Sequence, residues 1–324
     1  MGYQSFYDLE KACLQFCEEE KYEKALNFFH HANALLPPRE YENNQFEILF
    51  GEARIYSEIA DGDSCMRMVK KALEKGYAFP VDWKRFDLLK KYDDYEKLLA
   101  ENQRLLETLR KNAKFQYEVQ LPLNYEEAET VPLFICLHGD GFGCNIEGSK
   151  YHWKADAFLE NGYIVAYVQS SQVYGQQCHG WLLDLEKSRG ELKNIYDQLL
   201  QNYKIDEELV VIGGFSGGAS MAIDAVNYNL FPIKGVIAVC PGDHLDELSV
   251  GSARKILERE TKIVMIEGKK ALEPVVQHLL EIFSQSNLSY QYHIDSEIGH
   301  EYPKNLYDYS KQALNFIEAD CIRK

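Results

Sequence analysis

The sequence predicts the α/β fold class, with a doubly wound, mostly parallel sheet that follows a small all-α domain. From about Phe115 onward, short apolar runs alternate with helical stretches, as in a parallel sheet covered by helices on both faces. One of these runs ends in the pattern Gly-x-Ser-x-Gly at 214–218. The preceding part of the chain instead repeats small and large side chains at helical spacing. We therefore predict a helical domain over residues 1–112 and an α/β domain over residues 113–324.

Each element of the α/β domain is predicted from its own pattern. Strands are expected at the apolar or alternating runs 115–121, 131–137, 164–169, 209–213, 236–239, 263–267 and 290–294. Helices are expected at 149–161, 185–203, 217–227, 274–286 and 304–319. Open parallel sheets bind their ligands beyond the carboxyl ends of the strands, so we expect the functional residues at that edge.

The apolar run before Ser216 and the small residues after it predict a nucleophile elbow. A serine hydroxyl becomes reactive when a tight turn between a strand and a helix lifts it beside a base. Such a turn leaves almost no room for side chains at the flanking positions, and Gly214 and Gly218 occupy them. Ser216 is therefore the predicted catalytic nucleophile.

A second turn of this kind follows the predicted strand 131–137 and reads His138-Gly-Asp140-Gly. Its backbone N–H groups can be directed at a developing oxyanion. We predict that the N–H groups of Asp140 and Gly217 form the oxyanion hole. We also predict that His138 contacts the substrate.

The last predicted strand is followed by a loop that reads Gly299-His300-Glu-Tyr-Pro303. On its own, a loop histidine after a glycine would be an ordinary surface residue. Here it follows the oxyanion turn and the nucleophile in chain order, so His300 is the predicted general base.

The acid that orients the base is the least well marked part of the sequence. It should follow the strand 263–267, but no aspartate lies in the turn that comes next. Glu273 is the first candidate, Asp243 after the preceding strand is the second, and Glu267 is the third. The alternative is that the site has no acid.

The polar and aromatic stretch 170–184 has the length and position of a substrate-binding loop. His179 and Trp181 are predicted to line the pocket. In the alternative interpretation, Trp181 and Asp184 anchor the loop by packing and by an N-cap hydrogen bond. The same two interpretations apply to the stretch 145–153 after the oxyanion turn, which includes an asparagine, a histidine and a tryptophan.

From about Phe115 to its end the chain resembles the bacterial α/β-hydrolase esterases of the phospholipase/carboxylesterase and dienelactone hydrolase families. The resemblance rests on the stretches 137–140, 213–218, 236–241 and 299–303. It implies a serine carboxylic-ester hydrolase that uses no metal and no cofactor, with Ser216 as nucleophile and His300 as base. The chain departs from the family at the acid, because Ala271 stands where relatives carry the aspartate of Gly-x-x-Asp.

The predicted helical domain resembles tetratricopeptide repeats, in which alanines let two helices approach and aromatic residues fill the space beside them. A first copy is marked by Leu9, Ala12, Phe16, Tyr22, Ala25, Phe29, Ala32 and Pro37, and a second by Ala53, Tyr56, Cys65, Val69 and Ala72. A lengthened loop at 37–44 is expected between them. Such domains dock peptides or proteins, so a protein or peptide partner is a further expectation, with an active-site lid as the alternative.

Two functions are compatible with these features. The first is a serine hydrolase that cleaves a small-molecule carboxylic ester, or a thioester, through an acyl-enzyme on Ser216. The alternative is a catalytically weak or inactive hydrolase-fold protein that binds partners through its tetratricopeptide-like domain.

Composition narrows the surroundings in which the protein is expected to act. The 35 basic and 51 acidic residues give a formal net charge of −16, which disfavours nucleic acid as a partner. No apolar run approaches the length of a membrane-spanning helix and the first residues do not form a secretion signal, so a cytoplasmic location without membrane insertion is expected. The 8 cysteines show no metal-binding spacing and are expected to be free thiols.

Overall fold

The chain divides into two compact units in the computed structural model, which describes residues 2–319 apart from 243, 246 and 273. The helical unit consists of residues 1–113 and 173–178, and the sheet unit consists of residues 114–172 and 179–324. The change between the units after Ala113 lies next to the boundary that we predict at residue 112.

Seven α-helices lie in the described part of the helical unit. They are α1 (Phe6–Glu18), α2 (Tyr22–His30), α3 (Ala32–Leu35), α4 (Pro38–Asn43), α5 (Gln45–Glu58), α6 (Gly62–Glu74) and α7 (Tyr95–Asn112), with a 3-10 helix at Lys84–Lys91. Helix α1 packs on α2, and α5 packs on α6. The predicted loop at 37–44 is largely helix α4, which begins with Pro38 at a position that favours proline. The tetratricopeptide-like character of this unit stays a prediction.

The sheet unit contains a seven-stranded sheet in the order β1-β4-β2-β7-β8-β9-β10. The ten strands of the described chain are β1 (Gln116–Gln120), β2 (Val131–Leu137), β3 (Gly141–Phe142), β4 (Ile164–Gln169), β5 (Gln172–Gly175), β6 (Cys178–Gly180), β7 (Ile205–Phe215), β8 (Gly235–Val239), β9 (Lys262–Gly268) and β10 (Tyr290–Asp295). Strand β1 is antiparallel to β4, and the other neighbouring pairs of the large sheet are parallel. The mostly parallel sheet predicted from the sequence is thereby confirmed.

Helices cover both faces of this sheet. They are α8 (Ile146–His152), α9 (Asp156–Leu159), α10 (Leu185–Asn202), α11 (Gly217–Asn227), α12 (Val250–Glu258), α13 (Pro274–Ser286) and α14 (Leu306–Glu318). Strand β2 shows why its sequence is apolar throughout. Leu133 and Ile135 belong to the core on one face, whereas Phe134 and Cys136 belong to the core on the other. A strand buried on both faces has no polar alternation.

Two predicted elements differ from the structure, and one helix was not predicted. The helix predicted at 149–161 is broken into α8 and α9 at Trp153, whose fully buried ring packs against Phe134 and Phe158. Strand β7 begins at Ile205, earlier than predicted. Its first residues were not predicted as strand because they include exposed carboxylates, which are rare in strands. Helix α12 was not predicted, although Ser249 and Ser252 form a capping box at its start.

Among the described helices, none is both long enough and apolar enough to cross a membrane. The described residues also contain no group of three or more histidine, cysteine and carboxylate side chains that could hold a metal ion.

Candidate active site

Ser216 lies in the sharp turn between the end of β7 and the start of α11. Its backbone has φ 51° and ψ −121°, a conformation that residues other than glycine rarely adopt. Its N–H donates to the carbonyl oxygen of Val239 at 2.9 Å, which ties the turn to the neighbouring strand β8. A strained conformation that the surroundings impose is a feature of functional sites.

The glycines around Ser216 are required by close approach. A Cβ at Gly214 would lie 2.6 Å from the carbonyl carbon of Gly218. A Cβ at Gly218 would lie 2.1 Å from the carbonyl oxygen of His138. Both distances are far below van der Waals contact, so the turn exists only because these two positions carry no side chain.

His300 contacts the serine directly. Its Nε2 atom lies 2.9 Å from Ser216 Oγ, a hydrogen-bond distance, and its side chain is exposed. The loop that carries His300 rests on the end of β9, where a Cβ at Gly268 would lie 2.0 Å from the carbonyl oxygen of Gly299. The backbone N–H of Lys270 donates to Ile298 O at 3.1 Å in the same region. The structure therefore brings together the predicted nucleophile and the predicted base.

An aromatic stack flanks the base. Tyr302 stacks on Phe215 with ring centroids 4.2 Å apart and on His152 with centroids 3.9 Å apart. The Phe215 ring also lies 5.2 Å from the imidazole of His300. The stack joins the residue before the nucleophile, the loop of the base and helix α8.

The turn that carries Asp140 lies against the start of α11. A Cβ at Gly217 would lie 2.2 Å from Asp140 Oδ1, so the carboxylate packs directly on the glycine backbone. Gly217 is the first residue of α11, where the unpaired N–H groups and the helix dipole favour negative charge. The two predicted oxyanion donors thus belong to adjacent segments.

His138 is fully buried, and both of its ring nitrogens are hydrogen-bonded to the backbone. Ser170 N–H donates to Nε2 at 3.1 Å, so Nδ1 carries the ring hydrogen and donates to Gly139 O at 2.5 Å. Burial, together with a smaller effect of nearby His179, lowers the pKa of His138 to about 3. This histidine is neutral and has no ring nitrogen to offer a substrate.

Trp181 is also fully buried, and its indole N–H donates to the carbonyl oxygen of His138 at 2.9 Å. His179 Nδ1 lies 3.0 Å from Ser170 O, and burial lowers the pKa of this ring. Asp184 accepts a hydrogen bond from Lys187 N at 3.0 Å as the N-cap of α10. These contacts correspond to the anchoring interpretation of Trp181 and Asp184.

The first two acid candidates, Glu273 and Asp243, lie outside the described residues. Gly242, the residue before Asp243, comes close to the nucleophile, since a Cβ at Gly242 would lie 3.9 Å from Ser216 Oγ. Glu267 is fully buried near the end of β9. Burial of the Cys240 thiol, and to a smaller extent the nearby Glu267, raises the pKa of Cys240 to about 12. Cys240 Sγ in turn lies 3.9 Å from Gly299 O, beside the loop of the base.

Two features of the site had no signal in the sequence. The aromatic stack combines residues 152, 215 and 302, which no spacing rule connects. The carboxylate of Asp140 accepts hydrogen bonds from the backbone of Trp181 and Leu182, while the sequence argument used only its N–H group.

Comparisons with known proteins support the same fold. Residues 183–317 match the model of the phospholipase/carboxylesterase family, and this region includes Ser216 and His300. A curated relative, the bifunctional acetylxylan esterase/xylanase of Neocallimastix patriciarum, is 30% identical over 100 residues, or 31% of this chain. The matched stretch spans only 14% of that relative's length.

Solved structures resemble the chain over longer stretches. An uncharacterized protein from Bacillus cereus ATCC 10987 is 21% identical, covers 98% of this chain and 99% of its own, and has a TM-score of 0.52. A ferulic acid esterase (15% identical, 65% and 94% covered) and esterase PE8 (18% identical, 63% and 99% covered) each have a TM-score of 0.50. The chain therefore has the α/β-hydrolase fold, and its residues 183–317 match the phospholipase/carboxylesterase family.

Proposed function

We propose that this protein is a serine hydrolase that cleaves carboxylic esters through an acyl-enzyme on Ser216. One observation carries the proposal, the 2.9 Å contact between His300 Nε2 and the hydroxyl of a serine held in a strained elbow. A serine next to a base at this distance can lose its proton as it attacks a carbonyl carbon. The match of residues 183–317 to phospholipases and carboxylesterases supports the same reaction class.

Acylation begins with attack of Ser216 Oγ on the ester carbonyl carbon. His300 Nε2 accepts the serine proton as the new C–O bond forms, and the carbonyl oxygen becomes an oxyanion. His300 then gives this proton to the oxygen of the leaving alcohol while the ester C–O bond breaks. The products of this half are the acyl-Ser216 enzyme and a free alcohol.

Deacylation repeats the sequence with water. His300 takes a proton from a water molecule that attacks the acyl carbon, and it returns that proton to Ser216 Oγ as the tetrahedral intermediate collapses. The carboxylic acid leaves and the serine is restored. Neither half requires a group beyond the residues of this chain and water.

The oxyanion would be held by the N–H groups of Asp140 and Gly217. The position of Gly217 at the first turn of α11 adds the positive end of the helix dipole. Loss of a single donor of this kind costs about 10²- to 10³-fold in kcat in a well-studied serine protease. We therefore expect this hole to be a major source of rate enhancement.

The acid partner of His300 is proposed among the same three residues, Glu273, Asp243 and Glu267. Asp243 gains support from Gly242, which precedes it and approaches Ser216. Glu267 gains support from its burial near Cys240, which touches the loop of the base. Esters and thioesters are better substrates for such a site than amides, because their leaving groups need less help from the acid.

Several finer features also remain proposals. His179 would lie at the edge of the substrate pocket, whereas His138 and Trp181 would shape it from behind. A protein or peptide partner on the helical unit and a cytoplasmic location stay predictions from the sequence.

Hydrolysis of a panel of p-nitrophenyl esters, from acetyl to octanoyl, tests the proposal. The wild-type chain should release p-nitrophenol, and Ser216→Ala should lose at least about 10³-fold in kcat/KM. Ser310→Ala is the matched control, because Ser310 is equally a serine within the fold, and its buried hydroxyl donates to Leu306 O within helix α14 at 2.8 Å. Equal activity of wild type and Ser216→Ala would refute the proposal.

A further inference from the structure

The turn that follows β2 has to hold the N–H of Asp140 in place if that group is to bind an oxyanion. Donors work when they lie within about 2.7 to 3.1 Å of the place that the oxyanion will occupy, and small displacements are costly. Asp140 lies in the bend between the end of β2 at Leu137 and the start of β3 at Gly141. Contacts with residues 181–182 and with the start of α11 hold this bend.

The carboxylate of Asp140 makes the first of these contacts. Its Oδ1 accepts the backbone N–H of Trp181 at 2.8 Å, and its Oδ2 accepts the N–H of Leu182 at 3.1 Å. Hydrogen bonds to a charged acceptor are stronger than neutral ones. Both oxygens are thus used to connect the turn to the chain just after β6.

The side chain of Trp181 makes the second contact, in which the turn supplies the acceptor and residue 181 the side-chain donor. Its indole N–H donates to His138 O at 2.9 Å, and its ring stacks on the imidazole of His138 with centroids 4.9 Å apart. The carbonyl oxygen of Trp181 is itself fixed, since it accepts the hydroxyl of Ser188 at 2.6 Å. Trp181 therefore holds the turn at His138, and the carboxylate of Asp140 ties the turn to residues 181 and 182.

Helix α11 closes the other side of the turn. The carbonyl oxygen of His138 lies against Gly218, and the carboxylate of Asp140 lies against Gly217, both too close for a side chain. The turn is enclosed between the start of α11 and residues 181–182. The same helix end partly offsets the negative charge of the carboxylate, which would otherwise oppose an oxyanion.

We propose that the carboxylate of Asp140 and the indole of Trp181 form an oxyanion clamp, a pair of positioning groups that sets the place of the Asp140 N–H. The clamp deepens the proposed function and rests on it. Asp140 then serves the reaction twice, with its N–H as a donor to the oxyanion and with its carboxylate as the anchor of that donor. Trp181 acts through the turn without touching the substrate.

Two substitutions remove one contact each and keep the shape of the side chain. Asp140→Asn retains one carbonyl acceptor but places an NH2 group against one of the two backbone donors. Trp181→Phe retains an aromatic ring and removes the N–H. We expect kcat to fall by about 10- to 100-fold for Asp140→Asn and by about 5- to 10-fold for Trp181→Phe, with KM within about twofold.

Trp153→Phe is the matched control. Trp153 is as buried as Trp181, but among the described residues its indole N–H has no hydrogen-bond partner. The two tryptophan variants lose the same atoms from the core, and only Trp181→Phe loses a bond to the turn. Thermal denaturation of the full chains should show comparable losses of stability, whereas kcat should fall only for Trp181→Phe.

A second measurement reads the clamp without enzymatic activity. Hydrogen exchange followed by mass spectrometry reports the amides of Trp181 and Leu182 in the wild type and in Asp140→Asn. Loss of the charged acceptor should speed their exchange by about tenfold, while the amides of β8 should exchange as before.

The outcomes separate the clamp from the proposed function. An Asp140→Asn enzyme that matches or exceeds wild-type kcat overturns the clamp, and so does a Trp153→Phe enzyme that slows as much as Trp181→Phe. Unchanged exchange at residues 181 and 182 also overturns it. A wild-type chain that hydrolyses no ester overturns the proposed function, and the positioning role falls with it.

Discussion

On the nucleophile side of the candidate active site, Ser216 is held by backbone contacts and by glycines, whereas on the base side His300 is held by a loop and by side chains. The nucleophile turn can form only where side chains are missing, as at Gly218, where any Cβ would lie 2.1 Å from a carbonyl oxygen. The position of the base depends on side chains that pack beside it, such as the ring of Tyr302, which stacks on two other rings. Substitutions that add atoms should therefore disrupt the nucleophile side, and substitutions that remove atoms should disrupt the base side.

The largest expected effect lies on the base side and concerns the acid. One of Glu273→Gln, Asp243→Asn and Glu267→Gln should lower kcat by about 10³-fold or more, because the imidazolium of His300 loses its negative partner. The other two should change kcat by far less. Steady-state hydrolysis of p-nitrophenyl acetate decides among them.

Glu301→Gln is the control for this series, because Glu301 follows His300 directly and its side chain accepts a long hydrogen bond, 3.4 Å, from Gly299 N. It should retain nearly full activity. Three acid variants that all match wild type would show that His300 works without any of these carboxylates, and the base side would then depend on the stack and loop alone.

The next effect tests the nucleophile side by adding one methyl group. Gly218→Ala should lower the free energy of unfolding by about 1–3 kcal/mol or more, because the new Cβ overlaps His138 O. Gly251→Ala is the control, since the nearest described atom to its Cβ would be Ser249 Oγ at 3.8 Å, and alanine favours a helix. Urea denaturation measures both, and equal stability of Gly218→Ala and wild type would contradict the account of the turn.

A smaller effect is expected when atoms are removed from the aromatic stack. Tyr302→Leu should lower kcat about tenfold, because aromatic pairs contribute about 0.5–1.5 kcal/mol and their loss frees the loop of His300. Tyr196→Leu breaks a comparable stack, with Phe231 at 4.4 Å, away from the elbow, and should leave kcat unchanged. Wild-type turnover of Tyr302→Leu would remove the stack from the account of the base side.

A gradual effect, of at most about 1.4 kcal/mol for each pH unit, is a pH dependence of stability on the nucleophile side. The pKa of His138 is about 3 in the fold, below its ordinary value, so between about pH 6.5 and 3 the unfolded chain binds a proton that the folded chain does not. The free energy of unfolding should decrease as the pH falls through this range, by at most about 1.4 kcal/mol per pH unit from this group.

Urea denaturation at pH 7, 6, 5 and 4 checks this dependence in the wild type and in His138→Gln. The variant should lose part of the slope, while His179, whose pKa burial also lowers, keeps the rest. Identical slopes in the two chains would show that His138 titrates normally.

The comparison also explains which parts of the site the sequence could predict. Ser216 and its glycines form one contiguous stretch, because a backbone turn is a local structure, and helix α11 follows it at the predicted residues 217–227. His300 could be found because it comes after a recognisable strand. The aromatic stack could not be found, because its three rings meet only when β7, α8 and the last loop have folded together.

In the fold, too, local features were predicted and contacts between distant segments were not. Strands β2 and β4 have their predicted bounds, since strands buried on both faces have the clearest apolar pattern. The break between α8 and α9 was missed, because it coincides with the burial of Trp153 against Phe134 of the distant strand β2 and not with a local breaker residue. Local geometry can be read from the sequence, whereas contacts between distant segments require the structure.

The most direct test of the central claim is labelling with a fluorophosphonate probe, followed by mass spectrometry of the modified peptide. The probe reacts with serines that a neighbouring base has activated. The account predicts a single adduct on Ser216 in the wild type and none in Ser216→Ala. An unlabelled wild-type chain, or an adduct on another serine, would contradict it.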